Sequence, residues 1–117
     1  MSEDHTDDFN KLMNQKRFLN DIEQGIRIAN REIIHTRIQA LNKDTVLAFA
    51  VAIARLRVRY LEAAFRAAET DKGEPLDQSE VNELRTHREA YEETRLAFEA
   101  LRYAIEQGYV DVEMSEE

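Results

Sequence analysis

The chain has 117 residues, 34% charged and 43% hydrophobic, and its 16 Lys and Arg against 24 Asp and Glu give a formal net charge of −8. That length suits one domain, that apolar content excludes a disordered chain, and the negative balance opposes the phosphate neutralisation behind nonspecific nucleic-acid binding. With no cysteine, disulfides, thiolate chemistry and Cys-ligated zinc are excluded.

Only one Pro and three Gly occur, too few for the turns of an all-β fold. Ala, Leu, Glu, Arg and Gln dominate, and all are helix formers. The expected class is therefore all-α. The first residues, Met1-Ser2-Glu3-Asp4, are acidic and lack the apolar run of a secretory signal. The longest apolar stretch, Val46 to Ala54, is far short of the ~20 residues needed to cross a bilayer. A cytoplasmic location with no membrane and no nucleic-acid partner is the expectation.

Residues 1–7 are polar and acidic and are expected to be disordered. A helical pattern follows over about residues 8–41. In it Leu19, Ile22, Ile26, Ala29 and Ile33 recur at alternating three- and four-residue steps, with Ala40 continuing them, a heptad-like seam. Gly25 interrupts this stretch and costs roughly 1 kcal/mol relative to Ala; a bend or a close neighbour would account for it. Asn42-Lys43-Asp44 is a break, with Asp44 the expected N-cap of a second helix over about residues 45–70. Asp71-Lys72-Gly73-Glu74-Pro75 is the strongest turn in the chain, since Gly suits a helix C-terminus and Pro blocks continuation. Asp77 with Glu80 three residues on has the form of a capping box opening a third helix over about residues 78–107, and Gly108 is its natural C-terminal stop. Residues 109–117 form an acidic tail expected to fray. Short connections predict antiparallel neighbours, hence an up-down-up three-helix bundle whose first helix overhangs near Phe9, Leu12 and Met13.

The second helix is the most informative. At 100° per residue, Val46, Phe49, Ile53, Leu56 and Tyr60 form one stripe, and Leu47, Val51, Ala54, Val58, Leu61 and Phe65 form another. The apolar arc covers roughly two thirds of the circumference, well beyond the stripe of a surface helix. Ala48 and Ala52 make the N-terminal half apolar all round. One three-helix unit cannot bury such a helix, so a homodimer or larger oligomer is expected, with Val46, Leu47, Phe49, Val51 and Ile53 at the interface.

Several polar residues break the pattern. Arg57 lies between the two stripes, near the level of Tyr91, with His87 and Thr94 about a turn away. Two readings fit: a register-fixing bridge to Glu32 or a snorkelling Arg, or a small polar pocket of Arg57, His87, Tyr91 and Thr94 that takes an anion. Glu32-Ile33-Ile34-His35 has the Glu-x-x-His spacing of carboxylate-bridged di-iron bundles, and Glu83 lies four residues before His87. An iron or zinc site from Glu32, His35, Glu83 and His87 would need a second copy, because the chain holds only one Glu-x-x-His. Arg55, Arg59 and Arg66 share a face with Glu62 and Glu69, which reads as an intrahelical ion-pair ladder. Tyr103 and Tyr109 are candidate exposed contact residues. No Gly-rich phosphate loop, His-Glu-x-x-His or Gly-x-Ser-x-Gly pattern occurs. The functional expectation is a non-enzymatic helical homo-oligomer without a cofactor, acting as a protein-interaction module and binding itself and another protein; the alternative is the dimer-bridged metal site.

Overall fold

The computed structural model describes residues 2–114, with side chains from residue 5 onward. It is all-α: α1 spans Ser2–His35, α2 Lys43–Asp71 and α3 Gln78–Glu106. Residues 2–7, expected to be disordered, continue the first helix, which stops at His35 rather than near Leu41. Residue 1 and residues 115–117 of the acidic ends lie outside the described residues.

Local chemistry sets the helix ends. Asn42, not Asp44, caps α2: its Oδ1 accepts from the Thr45 backbone N–H at 2.8 Å and from the Thr45 hydroxyl at 2.9 Å. Asp44 falls inside the first turn, where its charge still suits the helix dipole. The capping box at α3 is complete, with the Glu80 N–H donating to Asp77 Oδ1 at 2.8 Å and the Asp77 N–H donating to Glu80 Oε1 at 2.9 Å. Both α2 and α3 close with a left-handed residue. Lys72 takes that role in α2 with φ 52°, and Gly108 in α3 with φ 77°. At α3 the Tyr109 N–H reaches back to Ala104 O at 2.8 Å and the Gly108 N–H to Ile105 O at 3.0 Å, satisfying carbonyls the helix leaves unpaired.

α2 and α3 pack as an antiparallel hairpin. Phe49 meets Phe98 edge to face at 5.4 Å, Arg57 meets Tyr91 further along, and among the described residues Ile53 is the one buried side chain of α2 and α3. The first stripe of α2 is therefore spent on α3.

α1 packs along neither helix of the hairpin, which departs from the expected three-helix bundle. The cause lies in the tail. After Gly108 the chain turns back, and Leu41 pairs with it as a parallel bridge to Val112. The Leu41 N–H donates to Asp111 O at 2.9 Å and the Glu113 N–H donates to Leu41 O at 2.7 Å. Val110, next to Asp111 in this segment, is buried. Arg31 of α1 locks onto this clasp, donating to Gly108 O at 2.9 Å and pairing with the Asp111 carboxylate at 2.8 Å. α1 is thus held by its C-terminal turns at the end of the hairpin and projects as an arm. The result is an extended molecule of 77 × 47 × 26 Å with a radius of gyration of 24.0 Å, against roughly 13 Å for a compact chain of this length.

Candidate interaction surface

Among the described residues only two hydrophobic side chains are buried, Ile53 and Val110. The second stripe of α2 lies open along its length, from Leu47 at 58% exposure through Val51, Val58 and Leu61 to Phe65 at 69%. At the base of the hairpin it runs into an open apolar groove of about 420 Å³, lined by Val46, Leu47, Ala50, Phe98, Ile105 and Val112 beside the polar rim of Asn42, Lys43 and Glu113. Of the five residues expected at an oligomer interface, Phe49 and Ile53 are instead taken up by α3, and Val46 is half-buried at the groove. Leu47 and Val51 are open. The distinction follows from the wheel: the first stripe faces the helix joined by the shorter turn, and the second faces away from it.

The seam of α1 is just as open. Leu12, Leu19, Ile22, Ile26 and Ile33 are all exposed, Ile33 at 66%. Exposed apolar stripes of this length are the kind of surface that interaction sites use.

The polar residues singled out in the sequence do not form one site. Arg57 donates through Nε and Nη2 to the Tyr91 hydroxyl at 3.2 and 3.0 Å, and its guanidinium carbon lies 5.2 Å from the ring centroid. It is exposed, so its charge is solvated while its stem and the Tyr91 ring cover the helix interface. Glu32 is not its partner, because α1 does not lie beside α2. Thr94 donates to Ala90 O within its own helix at 2.8 Å, and His87 Nε2 faces Glu83 Oε1 at 3.9 Å.

Glu32 and His35 border a small hollow on α1 with Ile28 and Arg31, and His35 Nδ1 lies 3.7 Å from the Asp111 carboxylate. These residues sit at the clasp, whereas His87 lies roughly 28 Å up the α3 axis from Glu106, at 1.5 Å per residue. Glu32, His35, Glu83 and His87 therefore do not converge within one chain. Among the described residues no cluster of three or more His, Cys, Asp or Glu side chains is arranged to hold a metal ion, so an iron or zinc reading finds no ligand set in the single chain.

Elsewhere, Arg66 pairs with Glu62 at 3.7 Å as one rung of the expected ladder. Tyr103 and Tyr109 meet edge to face at 6.2 Å, and with Gln107 they line a hollow against Glu23, Ile26 and Arg27 of the arm. The turn between α2 and α3 brings the Asp71 and Glu80 carboxyl groups close together. The Asp77 backbone N–H lowers the Glu80 pKa, but the Asp71 carboxyl beside it, partial desolvation and the charges of Asp71 and Asp77 outweigh this, so the net value is raised. Asp71 Oδ2 is buried without a hydrogen-bond partner.

Sequence reasoning missed the clasp of Leu41, Arg31, Asp111 and Val112. Arg31 and Asp111 are 80 residues apart, and nothing local in either segment announces the other.

Comparison with protein-family models, with curated proteins and with solved structures finds no match for this chain. The class is thus defined by architecture alone: a helical hairpin with a projecting amphipathic arm. Among the described residues no helix is long and apolar enough to cross a membrane.

Proposed function

We propose that this protein is a non-enzymatic, cytoplasmic, homo-oligomeric interaction module, an adaptor, regulator or chaperone-like binder that works by presenting helical surfaces. The observation that carries the reading is the second stripe of α2, unoccupied from Leu47 to Phe65. The accessible surface of the chain is 9927 Å². A compact monomer of 13.7 kDa exposes roughly 6,600 Å² by the usual mass scaling. The excess of about 3,300 Å² is several times the ~800 Å² each partner contributes to a standard interface. A chain with so small a core gains its stability from association, as obligate oligomers do.

Light scattering on a sizing column over a dilution series tests this. A mass of at least twice 13.7 kDa that persists on dilution is expected. A folded monomer at every concentration, binding no hydrophobic dye and capturing no partner, would sink the proposal.

A further inference from the structure

We infer that two copies of this chain dimerise by exchanging arms, α1 of each lying along the open stripe of its partner's α2. This rests on the homo-oligomer reading above and specifies its geometry.

Two unpaired surfaces of matching form support it. On α2 the steps from Leu47 through Val51, Ala54, Val58 and Leu61 to Phe65 are four, three, four, three and four residues. On α1 the steps from Leu19 through Ile22, Ile26 and Ala29 to Ile33 are three, four, three and four, with Leu12 one heptad before Leu19. Both follow the 3.5-residue period that lets side chains of one helix enter holes on another along a left-handed crossing. Their lengths agree: at 1.5 Å per residue the α2 stripe runs about 27 Å and the α1 seam about 32 Å. Both are exposed throughout.

The arm cannot serve its own hairpin. Arg31 is held by Gly108 O and the Asp111 carboxylate, and the linker by the pairing of Leu41 with Val112. These contacts fix α1 at the end of the hairpin, away from its own α2. A second copy meets the stripe without disturbing them. Reciprocal exchange about a twofold axis is closed, since each copy gives one arm and receives one. Packing α2 against α2 of a second copy would cover one stripe and leave both arms bare. Exchange covers both seams of both copies, which is what the excess surface requires.

The test uses the absence of native cysteine. Ile22→Cys stands near the middle of the α1 seam and Ala54→Cys near the middle of the α2 stripe, so the two come opposite each other whichever way the arm runs. The two single-cysteine chains are co-expressed with different tags and treated with a short bis-maleimide. Exchange predicts a covalent heterodimer of about twice 13.7 kDa as the main product, with only traces from either variant alone. Self-linking of Ala54→Cys chains as the main product would show α2 facing α2, overturning exchange while leaving the homo-oligomer reading intact. A double variant cross-linked within a single monomeric chain would overturn it by showing the arm on its own hairpin. No mixed product from a protein that is dimeric by light scattering would overturn it as well. An uncross-linked wild-type monomer at all concentrations removes exchange and homo-oligomer together.

Discussion

Phe65→Ala separates a covered stripe from a bare one, because the sign of its effect depends on which is present. In the single chain the Phe65 side chain is 69% exposed. An aromatic side chain presents roughly 200 Å², so about 140 Å² of it remains for a partner to cover. At ~25 cal/mol per Å² that is about 3.5 kcal/mol per site, in line with the ~3–5 kcal/mol measured when buried Phe is truncated. A twofold dimer holds two such sites. Allowing about 3 kcal/mol each, dissociation should strengthen by about 6 kcal/mol, on the order of ten-thousand-fold in Kd. Ala is the better helix former, so a bare stripe would instead show unchanged or slightly raised thermal stability. Sedimentation equilibrium across a wide concentration range, with circular dichroism on the same samples, reads both. A Kd within threefold of wild type at unchanged helicity would refute the idea that a second copy covers Phe65.

Three further outcomes follow from other parts of the structure. Glu80 has a raised folded-state pKa, so the folded chain holds more protons than the unfolded one between the two values, and stability should fall as pH rises through that window; Asp71→Asn should remove this dependence and stabilise the protein at neutral pH, read from denaturant midpoints at several pH values. Arg31→Ala should cost only about 0.5–1 kcal/mol, since the ion pair is half exposed, yet it should visibly speed hydrogen exchange at the Leu41 and Glu113 amides, and unchanged exchange there would show that Arg31 does not secure the clasp. A Cβ at Gly25 meets nothing within 4 Å in the single chain, so Gly25→Ala should stabilise α1 by about 1 kcal/mol; a loss of stability by thermal melting would mean that another helix approaches at that position.

What could be read from the sequence was whatever is local. The capping box of Asp77 and Glu80, the stop at Gly108 and the break at Asn42 each depend on residues within a turn or two, and helix type follows from them. The two stripes of α2 were legible for the same reason, since a wheel needs only spacing. A wheel gives faces but not what covers them. It put Arg57 level with Tyr91, which the structure bears out, and also near Glu32, which required α1 to lie alongside. The placement of α1 is decided by Arg31 with Asp111 and by Leu41 with Val112, pairs separated by most of the chain and carried by residues of ordinary type. The choice of Asn42 over Asp44 as cap turned on one backbone conformation, extended at Asn42, that either side chain could have served.

The clasp also orders events during synthesis. At roughly 5–20 residues per second, the end of α2 is made within several seconds of the end of α1. Asp111, the acceptor for Arg31, lies 80 residues after it and follows some 4–16 s later at that rate. During that interval nothing holds the arm to one side, and a nascent chain is free to sample the closed form with α1 against its own α2. In the finished chain the tail secures the arm through Arg31 and Leu41. If arms exchange between copies as inferred above, the concentration of neighbouring chains at that moment, as on a crowded polysome, would set how quickly an arm finds another copy.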